Sequence, residues 1–131
     1  MARLKLLLDT HIWIWTQIEP EKLGHRVQRE LRTSSNEQWL SPISVWELAI
    51  LQRKGRMMIS GNFTEWCERA LVGFLEAPLT YEIALVAESI PLHPDPADRF
   101  LAATAKVLNL TLVTADERLL GLGDIATLSN R

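Results

Sequence analysis

The stretch Leu4-Lys5-Leu6-Leu7-Leu8-Asp9-Thr10 sets the tightest limit on how this chain can fold. Four leucines broken by one lysine leave no alternating polar face, which is the pattern of a strand buried on both sides within a parallel sheet. The run then turns polar. In open α/β sheets ligands sit in the crevice beyond the carboxyl ends of the strands, so Asp9 stands at the usual address of a site. It equally suits the cap of a helix beginning near His11. Taken alone, Asp9 stays open between the two.

Size and composition narrow the classes. At 131 residues, with 47% hydrophobic and 23% charged residues, the chain fits a single domain, 1–131, able to bury a real core. One cysteine, Cys67, excludes an internal disulfide framework and reads as a small buried hydrophobe on a helix. The leucine cluster is much shorter than the roughly 20 residues a membrane span needs, so a cytoplasmic location with no membrane partner is expected. A formal net charge of −2 gives no general pull toward nucleic acid. Any such contact must rest on a local patch, such as Arg53-Lys54-Gly55-Arg56 or the arginines at 26, 29 and 32, or on bound cations.

Strand and helix signals alternate along the chain. A short helix is expected over 11–17, an amphipathic one carrying Leu23, Val27 and Leu31, a strand over 37–41, and a helix over 44–54 ended by Gly55. A linker over 56–62 precedes a helical stripe from Phe63 to Phe74, and Pro78 confines the weak strand candidate at 76–79 to an edge or an end. Thr80 is placed to cap a helix reaching Ile90. After the rigid, proline-rich 91–96, Asp95 and Pro96 mark the start of a helix running to Leu108. Leu110 to Thr114 is a second buried strand, Asp116 to Leu120 a short helix, and Ile125 to Leu128 a final strand. This alternation argues for a layered α/β fold with a mostly parallel sheet.

Two strands therefore end in polarity, at Asp9-Thr10 and at Thr114-Ala115-Asp116, and in one parallel sheet their acids emerge at the same edge. Asp98 lies in the first turn of the Asp95 helix, where the helix dipole alone would favour it, and Glu47 has the spacing of a capping box with Ser44. Each acid has a structural explanation. Converging together, they would repel one another, and hard divalent cations such as Mg²⁺ or Mn²⁺ relieve that repulsion with oxygen ligation. The lone cysteine and the wide spacing of His11, His25 and His93 argue against zinc. No glycine-rich phosphate loop is present.

Read in order, Leu6-Leu7-Leu8-Asp9-Thr10-His11, Ser41-Pro42-Ile43-Ser44-Val45-Trp46-Glu47-Leu48, Asp95-Pro96-Ala97-Asp98-Arg99 and Val113-Thr114-Ala115-Asp116 resemble the PIN-domain ribonucleases, and more narrowly the VapC-type toxins of toxin–antitoxin pairs. The resemblance spans essentially the whole chain. It implies a PIN-like three-layer fold with about five strands flanked by helices, and Mg²⁺- or Mn²⁺-dependent cleavage of RNA. It also implies a homodimer and inhibition by a small VapB-type antitoxin. Asp9, Glu47, Asp98 and Asp116 fall on the family's acidic, metal-holding quartet, and Thr114 and Ser44 on its supporting polar positions. Ala97 departs from the bulky aromatic that many relatives carry there. Arg99 is expected to form a salt bridge that orients the quartet, and Trp13, Trp15 and Trp66 to offer a dimer or antitoxin face.

Two other readings compete. One is a non-catalytic PIN-fold module that binds RNA or protein, its acids kept as helix caps. The other is a phosphotransferase or phosphohydrolase with Asp9 as nucleophile, weakened because Asp9-Thr10-His11 lacks a second acid two residues on.

Overall fold

The structure, a computed structural model, describes residues 3–92 and 94–131; His93, in the proline-rich connection, lies outside the described residues. Five strands form one sheet in the order β3-β2-β1-β4-β5, every neighbouring pair parallel. They are β1 (Lys5–Leu8), β2 (Glu37–Leu40), β3 (Leu75–Glu76), β4 (Thr111–Thr114) and β5 (Thr127–Ser129). Leu7 sits at the centre, opposite Trp39 of β2 on one side and Leu112 of β4 on the other.

Side-chain alternation along β1 builds three layers. Leu6 and Leu8 point to one face, where they meet α1 (Thr10–Ile18), α2 (His25–Arg32), α3 (Pro42–Arg53) and α4 (Phe63–Ala70) through Ile12, Ile14, Val27, Leu48 and Ala70. Leu7 points to the other, against α5 (Tyr81–Ser89) and α6 (Pro96–Leu108) through Ile83, Ala87, Leu101 and Ala102. Both faces of the strand are thus covered. Leu6, Leu7 and Leu8 are each 0% exposed, so the leucine run is buried on both sides as its pattern predicts. Cys67 is likewise buried on α4.

Helix boundaries follow local chemistry. Asp95 accepts from the backbone N–H groups of Ala97 and Asp98, with Pro96 in the first helical position, and α6 ends at Asn109 in a left-handed conformation. Helix α3 starts earlier than the expected Ser44: Ser41 is the cap, accepting from Ile43 N–H at 3.1 Å, and Pro42 opens the helix. The proposed Ser44–Glu47 capping box therefore does not form. Of the weak strand candidate at 76–79 only Glu76 is in a strand, the two-residue edge strand β3, and the last strand starts two residues later than expected.

Trp13 is 0% exposed, its indole N–H donating to the Ala70 carbonyl at 3.0 Å and its ring edge-on to Trp66. A side chain so placed belongs to the core, so Trp13 forms no part of a docking face. Trp46, by contrast, is 58% exposed.

Candidate metal and nucleic-acid site

The strand order creates the site. From β1 the chain passes to β2 and β3 on one side, then crosses back through α5 and α6 to add β4 on the other. Connections leaving β1 and β4 diverge, which opens a crevice at their carboxyl ends. Asp9 follows β1 directly, its N–H donating to the Val113 carbonyl of β4 at 3.0 Å.

A cavity of about 470 Å³ occupies this crevice, lined by Asp9, Glu47, Asp98 and Asp116 together with His11, Trp15, Asp95 and Arg118. The four acids singled out from sequence thus share one cavity, although they come from four different elements or element ends. Two cavities of similar size lie elsewhere, one of them an apolar groove between Val45, Trp46, Phe63 and Leu75. Of these three, among the described residues, the crevice is the one that gathers several carboxylates.

Asp9 occupies the N-cap position of α1, yet its side chain makes no capping bond. Its Oδ2 instead accepts from the Thr114 hydroxyl at 2.6 Å, and the same Thr114 oxygen accepts from Asp116 N–H at 3.0 Å. Thr114, fully buried at the end of β4, therefore ties the two acid-bearing strand ends together. Burial pushes the Asp9 carboxyl above its ordinary value; the Thr114 bond and His11 oppose this, and the charge of Asp116 adds to it.

Glu47 reaches the crevice from the second turn of α3. Its carboxylate accepts from the hydroxyl of Thr10, which lies 2.8 Å from Ser44 Oγ. Thr10 has one proton to give, so with that proton on Glu47 it is Ser44 that donates to Thr10. Ser44 and Thr10 are both buried, and this buried relay sets the Glu47 side chain. Burial lifts the Glu47 pKa to about 7, with Asp9, Asp98 and Asp95 pushing in the same direction. Thr114 thus stands behind Asp9 and bonds it directly, Ser44 reaches Glu47 only by way of Thr10, and neither lines the cavity.

Asp116 is different. It caps α7 (Glu117–Leu120) by accepting from Arg118 N–H at 2.8 Å, and it pairs with the Arg118 guanidinium at 3.1 Å. That hydrogen-bonded guanidinium holds its carboxyl below the ordinary range. Arg118 is the residue sequence reasoning missed; its signal was a cation two positions after an acid at a helix start. Arg99, expected to pair with the quartet, donates instead to the carbonyls of Leu92 at 2.8 Å and Glu88 at 2.6 Å, pinning the connection between α5 and α6. A carbonyl that cannot be reached by helix bonding offers such a guanidinium a fixed partner.

Donor chemistry fits a hard cation. The four acids offer only carboxylate oxygens, and two of them, Asp9 and Glu47, are raised by burial and by neighbouring negative charge. Among the described residues no three His, Cys, Asp or Glu side chains are drawn together at metal-ligand spacing.

Comparison with known proteins agrees with this fold. The PIN domain family model matches residues 6–124. Ribonuclease VapC22 of Mycobacterium tuberculosis is 30% identical over 116 residues, covering 87% of this chain and 88% of the relative. Among solved structures, VapBC2 from Rickettsia felis bound to a promoter DNA fragment superposes with a TM-score of 0.71 at 17% identity, covering 96% of this chain and 98% of that one. DNA-bound VapBC from Salmonella typhimurium gives 0.71 at 21%, covering 98% and 99%. With the family model covering most of the chain, and a parallel sheet that carries its acids at the β1–β4 crevice, the protein belongs to the PIN domain family.

Proposed function

We propose that this chain is a metal-dependent endoribonuclease acting in the cytosol as the toxin of a toxin–antitoxin pair. The observation that carries it is the pair Asp9 and Glu47. Each is enclosed in the crevice, neither caps a helix, and each is oriented by a threonine hydroxyl rather than by a lysine or arginine. Two carboxylates kept in a cavity with raised pKa values are costly unless a cation joins them. Relatedness to Ribonuclease VapC22 supports RNA as the substrate.

Asp9, Glu47, Asp98 and Asp116 would hold Mg²⁺ or Mn²⁺. Bound there, the ion supplies Lewis acidity at the scissile phosphate and offsets the charge of an anionic backbone. The chain's own groups do the positioning. Thr114 holds Asp9 and the Asp116 backbone in one frame, and the Ser44–Thr10 pair holds Glu47. Arg118, paired with Asp116, lines the same cavity and would offer its guanidinium to a phosphate there.

Helix capping, the basis of a purely binding role, accounts for Asp95 and Asp116 but not for Asp9 or Glu47. A VapB-type antitoxin is supported by VapBC complexes among the structural relatives, and the apolar groove beside exposed Trp46 offers surface for a protein partner. A homodimer is supported by exposed Tyr81 and Leu85 on α5. The test is cleavage of a mixed single-stranded RNA pool by the purified chain. Cleavage that requires Mg²⁺ or Mn²⁺, stops with chelator and is lost in Asp9→Asn is expected; cleavage undiminished by chelator overturns the proposal.

A further inference from the structure

Beside the carboxylates, the crevice has an aromatic wall that metal chemistry does not use. His11 and Trp15, four residues apart on α1 and so on one helix face, both line the cavity that holds Asp9. Their ring centroids lie 6.2 Å apart. Trp15 is half-buried, packed against the core cluster around Leu6 and Ile12, which fixes its plane without covering it. Lys22 Nζ lies 5.6 Å from the Trp15 ring centroid, with its side chain half exposed and its ammonium 3.2 Å from Glu19. Imidazole, indole and ammonium are thus neighbours in turn, the first two lining the same cavity as the acids.

We infer that His11, Trp15 and Lys22 form a subsite for one unpaired RNA base and its phosphate, on the rim of the acidic cavity. The inference rests on the ribonuclease proposal and names the form of substrate it takes. An acidic cavity on a chain of net charge −2 gives an RNA backbone little reason to approach by charge alone. A base has a π-face whatever its sequence, and stacking on a fixed indole needs no neutral or positive surroundings. When a base takes the Trp15 face, the Lys22 ammonium leaves the ring for the adjoining phosphate, where it has a stronger partner. In a duplex these π-faces are covered by neighbouring bases, so the subsite selects single-stranded RNA.

The experiment uses the intact chain in chelator, where nothing is cut, with a fluorescein-labelled, random-sequence single-stranded RNA decamer containing 4-thiouridine. Photocrosslinking followed by mass spectrometry locates contacts, and anisotropy measures affinity. The crosslink is expected on the tryptic peptide 6–22, with affinity lowered about tenfold in Trp15→Ala, within about threefold of native in Trp15→Phe, and lowered in His11→Ala. Lys22→Ala should reduce the salt slope by about one ion. Should Trp15→Ala fail to fold, the crosslink and His11→Ala decide. Crosslinks confined to other peptides, or native affinity in both alanine variants, overturn the subsite even if RNA is cleaved with metal. Binding through Trp15 with no cleavage when Mg²⁺ or Mn²⁺ is restored keeps the subsite and removes the ribonuclease proposal, whereas no RNA binding in chelator alongside cleavage with metal removes the subsite alone.

Discussion

At the scale of single residues, the fate of each carboxylate is decided by what faces it. Asp116 has a guanidinium and a helix N-terminus and stays charged, whereas Asp9 and Glu47 have threonine hydroxyls and each other. Removing the charge at Asp9 should therefore relieve the free protein. Asp9→Asn keeps an oxygen to accept from Thr114, so it is expected to melt no lower than the native chain in chelator, while metal-dependent cleavage falls by roughly a hundredfold or more. A thermal melt and a cleavage time course check the two halves separately. Glu47 has its own pH signature. With its folded pKa raised from 4.5 to about 7, the folded chain holds a proton between those values that the unfolded chain has released. Its contribution is thus fully present below about pH 4.5 and is lost as pH rises through about 7. Glu47 is partly open to solvent, so after screening the loss is on the order of 1–2 kcal/mol. Urea unfolding in chelator at about pH 5 and about pH 8 should show this decline in the native chain and a smaller one in Glu47→Gln. Which acids meet in one crevice was legible in the sequence from their places near strand and helix ends; which neighbours tune them was less so. Arg118 and His11 sit two positions from Asp116 and Asp9, where the sequence alone does not say that they face the acids, and only folding brings Thr10 of α1 to Glu47 of α3.

At the scale of elements, boundaries were readable where one residue type has a single conformational use. The Asp95-Pro96 pair starts α6 as its chemistry predicts, and Gly55, with a φ of 71°, follows α3 as expected. Where two residues of like chemistry compete, the pattern alone does not choose. Ser41 and Ser44 are both good caps, and Pro42 settles it for Ser41 because a proline ring fits the first helical turn and lacks the N–H that would otherwise need a partner. Trp13 and Trp15 are two apart on a helix and so face different ways; Trp13 goes to the core and Trp15 to the cavity rim, a parity that residue type cannot report. Asn109 offers a prediction at this scale. It ends α6 at φ 56° and ψ 50°, a conformation that costs a residue with a Cβ and no local hydrogen-bonding side chain. Asn109→Ala is expected to lower stability by about 1 kcal/mol, and Asn109→Gly to keep or raise it, as read by the urea midpoint at constant slope. Equal losses in both variants would show that the Asn109 side chain, not its backbone, matters.

At the scale of the whole molecule, the sheet hides its strands so thoroughly that surface apolar groups stand out. Both faces of β1 are covered by helices, yet α5 turns Tyr81 and Leu85, at 93% and 76% exposed, to the outside, four residues apart and hence on one face. The opposite face of α5, carrying Ile83 and Ala87, is packed on the sheet, so the helix cannot roll to bury the other pair without losing its core contacts. Covering Tyr81 and Leu85 therefore takes a second surface, and a second copy of the chain presents the same stripe about a twofold axis. Light scattering is expected to give the dimer mass for the native chain and the monomer mass for Leu85→Glu, because two glutamates brought together at a twofold contact repel and remain unsatisfied. Leu85 is exposed, so the same substitution should leave the fold's circular dichroism unchanged. A native chain that runs as a monomer at concentrations of tens of micromolar would leave α5 without a copy of itself as its partner.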